Sequence, residues 1–360
     1  MKSFIVFIIG LMVIVGMAVI GSKLLDDLNI MEQIEGFSFD VDIQNDEIVE
    51  TENENSQQIH EEIGEDEDRK LHQWIYRHLD ELFISYGEPD RIDITPYGYS
   101  WYIYQSNENY IQFAVKDDRI EGAFTNSVSV PLEDIQIGDG YDSIALIYAF
   151  NNEQTISKSI SSYTFELKED DLKERPLVHV QDNIWAQLYF DTVTDELSSV
   201  RYVDEDILLI HRPYSLTYNG NLPEKESLTA EEQVNWQEGQ AAQIFDLSNK
   251  IRKKHDLNQL EWADQVAEVA FLHSKEMYEF EYFSHTSERK GELSDRLNVG
   301  QVKYMRAAEN IAAQYVDGIA AVEGWLNSEG HRVNLLSDEF THLGVGVYED
   351  YYTQNFIYPR

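Results

Sequence analysis

Trp325-Leu-Asn-Ser-Glu-Gly-His-Arg-Val-Asn-Leu-Leu336 is the stretch on which the reading of this chain turns. It continues a helix that Asp317 is placed to cap and that turns Ile319, Val322, Trp325 and Leu326 to one side. Upstream lie Tyr282-Phe-Ser-His-Thr-Ser-Glu-Arg-Lys-Gly291, Leu293-Ser-Asp-Arg-Leu297 and Ala308-Glu-Asn-Ile311. Downstream, Leu343-Gly-Val-Gly-Val347 and Tyr351-Tyr-Thr-Gln-Asn-Phe-Ile357 read as two short strands that pair across Glu349-Asp350.

Further upstream, Thr229-Ala-Glu-Glu232 has capping-box spacing and predicts a helix through Ile244, Phe245, Leu247 and Ile251. Its basic end, Lys250 to Lys254, suits the negative end of a helix dipole. A second helix over about 262–278 aligns Val266, Ala270, His273 and Met277 on one face, which makes His273 a hydrogen-bonded core residue.

In this order, Phe-Ser-His, Glu-Asn-Ile, Trp-x-x-Ser-x-Gly-His-Arg-x-Asn-Leu-Leu, Gly-Val-Gly and Tyr-Thr-Gln-x-Phe resemble the bacterial branch of the CAP superfamily. That superfamily includes cysteine-rich secretory proteins, antigen 5 and pathogenesis-related protein 1. The resemblance implies an α+β fold, a three-layer α-β-α sandwich over about 236–360. It also implies a central cleft with His285 and His331, and with Glu309 as its acid. Many eukaryotic members carry a second acid three residues after the tryptophan, where this chain has Ser328. The usual glycine before Glu-Asn is Ala308. Both departures weaken any transfer of eukaryotic activities.

Two neutral imidazoles facing one another can bind Zn²⁺ or another divalent cation at roughly 2.0–2.1 Å per nitrogen. With only two protein ligands the binding would be weak. Glu309 would orient a histidine or act as general base on metal-bound water. Ser328 is close enough in sequence to hydrogen-bond beside His331. The bland alternative is a polar network that ties the layers together. No Gly-x-Ser-x-Gly elbow and no His-Glu-x-x-His helix is present. A non-catalytic binding module for a small molecule, lipid or peptide is therefore expected ahead of a metal-assisted hydrolase (protease or esterase) on envelope substrates. A purely structural role is the third possibility.

The region 71–212 reads as a β-rich domain after a short helix over about 71–84. Trp101-Tyr-Ile-Tyr104 and Tyr110-Ile-Gln-Phe-Ala-Val115 are aromatic strands. Tyr110 to Val115 with its acidic turn is echoed by Trp185-Ala-Gln-Leu-Tyr-Phe190 and the acidic turn after it, as a duplicated unit would leave. Together with the motifs Leu82-Phe-Ile-Ser-Tyr-Gly-Glu-Pro-Asp-Arg91 and Tyr97-Gly-Tyr-Ser-Trp-Tyr-Ile-Tyr104, it resembles the N-terminal domain that accompanies CAP domains. His179 and His211 read as surface or loop residues. The tyrosines form one face of a sheet, or a sugar- or peptide-binding face. Residues 213–235 read as a linker and helix start.

Phe4 to Gly21 is an unbroken apolar run of 18 residues after Lys2. As a helix it would extend roughly 27 Å, enough for a membrane anchor. Gly16-Met17-Ala18 offers signal-peptidase residues, but inside the run. The expectation is a single-pass cell-membrane protein with extracytoplasmic domains, or secretion after cleavage. Glu32 to Asp68 carries 15 carboxylates and no Lys or Arg, so residues 25–70 read as an extended spacer. The formal charge of −40 argues against nucleic acid as a partner and favours divalent cations. The chain has no cysteine, which excludes disulfides and thiolate metal sites.

Overall fold

The computed structural model describes residues 69–360. The apolar run at 4–21 and nearly all of the acidic spacer lie outside the described residues. Among the described residues no helix is long and apolar enough to cross a membrane.

The short helix expected over 71–84 is broken in two. A 3₁₀ turn covers Leu71–Trp74, and Tyr76 takes a positive φ of 71°. Helix α1 (Leu79–Tyr86) then restarts behind His78, whose ring accepts from the Asp80 amide. Both pieces bury their apolar side, through Leu71, Trp74, Leu79 and Leu82, against one face of a sheet.

That sheet is built from β1 (Arg91–Ile94), β2 (Ser100–Gln105), β3 (Tyr110–Lys116) and β4 (Arg119–Thr125). Then come α2 (Tyr141–Ile147), β5 (Glu153–Lys158), β6 (Ser161–Glu166) and α3 (Glu169–Glu174). β7 (Leu177–Gln181), β8 (Ile184–Asp191) and β9 (Glu196–Asp204) complete the sheet, followed by α4 (Glu205–His211) and β10 (Ser215–Asn219). The seven-stranded order is β1-β2-β3-β4-β9-β8-β7, antiparallel throughout. The two echoed segments form the hairpins β3–β4 and β8–β9, side by side through the β4–β9 pairing. The β3–β4 turn places Asp117 and Asp118 at φ 47° and 57°, left-handed positions that a short polar side chain tolerates.

Period two in β3 sorts its residues into two cores. Ile111, Phe113 and Val115 join the helical cover of α1, whereas Tyr110 and Ala114 join a core shared with the C-terminal region. The sheet is thus buried on both faces, and its aromatic residues are mostly core. The segment read as a linker is partly structured. β10 pairs with β6, beside β5, in a separate three-stranded sheet.

The C-terminal region begins with α5 (Ala230–Lys254), where Thr229 and Glu232 form the expected capping box. β11 (Glu261–Trp262), α6 (Asp264–Glu279), α7 (Leu293–Val299) and β12 (Tyr304–Ala313) follow. α8 (Gly318–Asn327), α9 (Glu329–Leu335), β13 (His342–Tyr348) and β14 (Tyr351–Pro359) close the chain. The four-stranded sheet runs β11-β13-β14-β12, with β13 and β14 joined as the predicted hairpin. α5 lies on one face with Ile244, Leu247 and Ile251 against Leu343, Val345 and Val347. α6 and α7 lie on the other, with Val266, Val269 and Leu297 against Ile357. The result is three layers, α-β-α.

Gly344 and Gly346 set the spacing of one layer. A Cβ on Gly346 would lie 1.9 Å from the Phe271 amide nitrogen, and one on Gly344 2.2 Å from that of Ala267. The backbone of α6 rests directly on β13, which only glycine permits.

Polar contacts also fasten the middle domain to the C-terminal helices. Arg201 of β9 pairs with Asp317, the N-cap of α8, at 2.7 Å, both nearly inaccessible to solvent. The basic end of α5 does more than complement a dipole. Lys250 and Lys253 donate to the carbonyls of Ser106, Asn107 and Asn109 in the β2–β3 turn, and Lys253 also pairs with Glu108.

Candidate functional site

β12 is an edge strand of the C-terminal sheet, and the predicted site residues gather around it. Glu309, midway along β12, sits opposite Asn355 of β14. α9 covers the open edge, with Asn334 donating to the Glu309 carbonyl oxygen (3.3 Å) and to the Asn310 side chain (2.9 Å). Asn310 in turn donates to the His331 carbonyl oxygen at 3.1 Å. The Asn-Leu-Leu part of the opening motif therefore docks α9 onto the strand.

His285, in the loop after α6, places Nδ1 3.0 Å from Glu309 Oε1. Its side chain remains 55% exposed, while that of Glu309 is only 3% exposed. His331 stands on the other side, its ring centre 6.4 Å from that of His285. His331 Nδ1 lies 2.8 Å from the Ser328 hydroxyl, so the serine does hydrogen-bond its histidine. The three predicted groups meet although up to 46 residues separate them along the chain, from 285 to 331.

Two further residues belong to this cluster: Arg296, which no motif marks, and His273, expected only as a core residue. Arg296 of α7 donates to Glu309 Oε2 at 2.5 Å and to the carbonyls of His285 and Gly291. His273, expected in the core, is indeed fully buried and lies 3.1 Å from the Ser284 carbonyl. Its Nε2 is also 3.9 Å from Glu309 Oε1. Arg296 stands in the segment Leu293-Ser-Asp-Arg-Leu297, where one arginine inside a short amphipathic helix was the available signal.

Electrostatics follow from this packing. Burial pushes the Glu309 carboxyl up, but the His285 hydrogen bond and the Arg296 guanidinium outweigh it and hold it below the usual range. Burial pushes His273 down to about 4, so it is neutral at pH 7. Burial and the nearby His285 also lower His331. The acid is thus an ionised anchor with both oxygens engaged.

Each predicted histidine uses Nδ1 inside the protein, and its Nε2 makes no hydrogen bond among the described residues. A hydrogen-bonded Nδ1 is the arrangement that orients metal-ligating histidines. Among the described residues no group of three or more His, Cys, Asp or Glu is arranged to hold a metal ion. The donor set therefore suits, at most, a weakly held cation on two imidazoles. An open cavity of about 490 Å³ reaches His285 and Glu309 but not Ser328 or His331. Tyr304 and Arg306 line it instead.

His179 lies exposed on β7, near the Asp182 carbonyl. His211 departs from its reading as a surface residue. It ends α4 in the interior, 2.8 Å from the Tyr99 hydroxyl, and burial pushes it well below the usual histidine range.

Comparison with known proteins agrees with this architecture. Residues 75–214 match the CAP-associated N-terminal family and residues 245–358 the cysteine-rich secretory protein family. A Bacillus subtilis protein named uncharacterized membrane protein YlbC is 43% identical over 282 residues, 78% of this chain and 81% of that one. The crystal structure of an extracellular protein containing an SCP domain, from Bacillus anthracis, superposes with a TM-score of 0.78 at 40% identity, covering 88% of this chain and all of that one. A cysteine-rich secretory protein from Staphylococcus aureus gives a TM-score of 0.70 at 26% identity, over 79% and 94% of the two chains. With the motifs, the three layers and these relatives in agreement, the chain belongs to the cysteine-rich secretory protein (CAP) family, preceded by a CAP-associated N-terminal domain.

Proposed function

We propose that this chain is a non-catalytic binding module held outside the cell by its N-terminal apolar segment. Its cavity at His285 and Glu309 captures a small molecule, lipid or peptide, and His285 with the neighbouring His331 can hold a divalent cation, zinc or another, weakly. The anchor reading rests on the run at 4–21 and is supported by a relative named as a membrane protein and another described as extracellular. One observation carries the choice of binding over hydrolysis. The Glu309 oxygens are occupied by His285 and Arg296, and its side chain is almost sealed from solvent. A general base needs a free oxygen within reach of the water it deprotonates.

A bound cation would supply a Lewis acid to the cleft. His285 and His331 would hold it through Nε2, while Glu309 and Ser328 keep the rings oriented. Zinc titration of the purified protein by calorimetry, beside a peptidase and esterase screen, tests this reading. Saturable zinc binding that is lost in His285→Ala, with a ligand-dependent rise in Tm and no turnover, is expected. Turnover that disappears in Glu309→Gln while zinc affinity survives would establish the hydrolase instead.

A further inference from the structure

A second cavity, of about 490 Å³, lies between the two domains and is formed by both. Tyr97, Gln187, Tyr189 and His211 come from the middle domain, and Tyr315 and Glu323 from the C-terminal one. It has no lining residue in common with the cavity at His285.

Its walls carry polar groups without partners. Gln187 Oε1, His211 Nδ1 and Glu323 Oε2 are buried and make no hydrogen bond. Tyr189 also lines the cavity and is buried as a residue, and its hydroxyl has no hydrogen bond among the described residues. Buried polar groups are satisfied in roughly nine cases of ten, so three such residues on the wall of one cavity leave polar atoms in want of partners. The neighbouring groups are fixed in place. Tyr97 donates to the Val316 carbonyl at 2.6 Å, and Tyr99 bonds the other nitrogen of His211.

The charges around the cavity nearly cancel. Arg175, Arg212 and Lys225 face Glu174 and Asp350, and burial pushes Glu323 up to about 7, so that it carries only part of a charge at neutral pH. Such a wall offers little net attraction to an anion or a cation. Phenol rings beside amide, imidazole and carboxyl groups suit a ligand with apolar C–H faces and many hydroxyls.

We infer that this interdomain cavity is a binding site for an uncharged, hydroxyl-rich ligand of one or two sugar rings. The volume lies within the range of small-molecule sites, roughly 300–1,000 Å³. The site needs both domains and is separate from the histidine cleft, so it stands or falls independently of the reading given above.

The test uses the purified protein with cellobiose, maltose and chitobiose as neutral probes and glycylglycine as a zwitterionic one. Saturation-transfer NMR and calorimetry detect the binding. Saturable binding of at least one disaccharide, and none of the dipeptide, is expected. Tyr189→Phe, which removes only the hydroxyl, should weaken it roughly three- to tenfold. Ala313→Phe, which fills space at the cavity wall, should weaken it by about tenfold or more. His285→Ala should leave it unchanged, and circular dichroism verifies that each variant folds. Absence of saturable sugar binding to the wild type overturns the inference, as does preference for the dipeptide. Sugar binding that ignores both cavity variants, or that requires His285, overturns it equally.

Discussion

Arg332 and Asp191 form a two-pronged ion pair across the domain boundary, with both N–O distances 2.8 Å. The arginine follows His331 directly in the opening motif, so the histidine of the cleft and the tie to the middle domain share one helix. Burial pushes the Asp191 carboxyl up, but the nearby His255 imidazole and hydrogen bonds from Arg332 and the Val193 amide hold it well below the usual range. A carboxyl with a depressed folded-state value adds stability that is complete above its unfolded value, near 4, and is lost as pH falls below that.

Arg332→Ala leaves Asp191 with a nearly buried, poorly compensated charge. Its cost should be about 3–5 kcal/mol at pH 7, shrinking as the solution is taken from pH 4 toward pH 2. Urea denaturation at several pH values checks both magnitude and slope. A flat, small effect would mean that the pair is not formed in solution.

Glu323 gives the opposite slope. Burial pushes it up to about 7, more than hydrogen bonds from Ser199 and Ser198 pull it down. The folded protein then keeps a proton that the unfolded chain releases above about pH 4.3. Stability should therefore fall by on the order of 3 kcal/mol between pH 4.3 and 7 on this account, then level off. Glu323→Gln should remove that component, as seen by comparing Tm against pH for the two proteins.

Asp317 has two duties that can be separated. Its side chain caps α8 by accepting from the Ala320 amide at 3.0 Å, and it also neutralises Arg201. Asp317→Ser should keep the cap and lose the ion pair, costing about 3–5 kcal/mol. Asp317→Ala should cost about 1 kcal/mol more. Equal destabilisation of the two would argue against the cap.

Ser328→Ala should barely alter folding, by about 1 kcal/mol or less, because one partly exposed hydrogen bond is lost. It frees the His331 ring, so any affinity for zinc should drop roughly 10- to 100-fold. Zinc titration of this variant beside wild type decides whether the serine orients the ligand. Unaltered affinity would show that it does not.

Gly346→Ala should be among the most disruptive single-methyl changes, at about 1–3 kcal/mol or more, since the new Cβ meets the backbone of α6. Gly330→Ala, where a Cβ meets nothing within 4 Å, is the control and should be nearly neutral. Thermal melts of both variants make the comparison.

The residues that were legible in the sequence are those whose role is local or periodic. Thr229 and Asp317 announce helix starts because a cap is a contact across three residues, and Ile319, Val322, Trp325 and Leu326 announce a buried face by spacing alone. His285, Glu309 and His331 were found through their motifs, since nothing local distinguishes them from surface residues. Arg296 and His273 stayed hidden because their tie to Glu309 depends on how α6 and α7 cross the sheet. His211 was misplaced for the same reason: α4 is short, and only the packing of Tyr97 and Tyr99 around it makes it interior. The basic end of α5 was read against its own helix, whereas its lysines reach a turn more than 100 residues away.

The Arg201–Asp317 pair spans 116 positions. Every strand of the seven-stranded sheet precedes the aspartate in the chain. Without the aspartate the guanidinium would have to stay hydrated, and the face of the sheet around it could not be buried. The middle domain therefore has no complete surface of its own on that face, and the C-terminal segment supplies the missing cover.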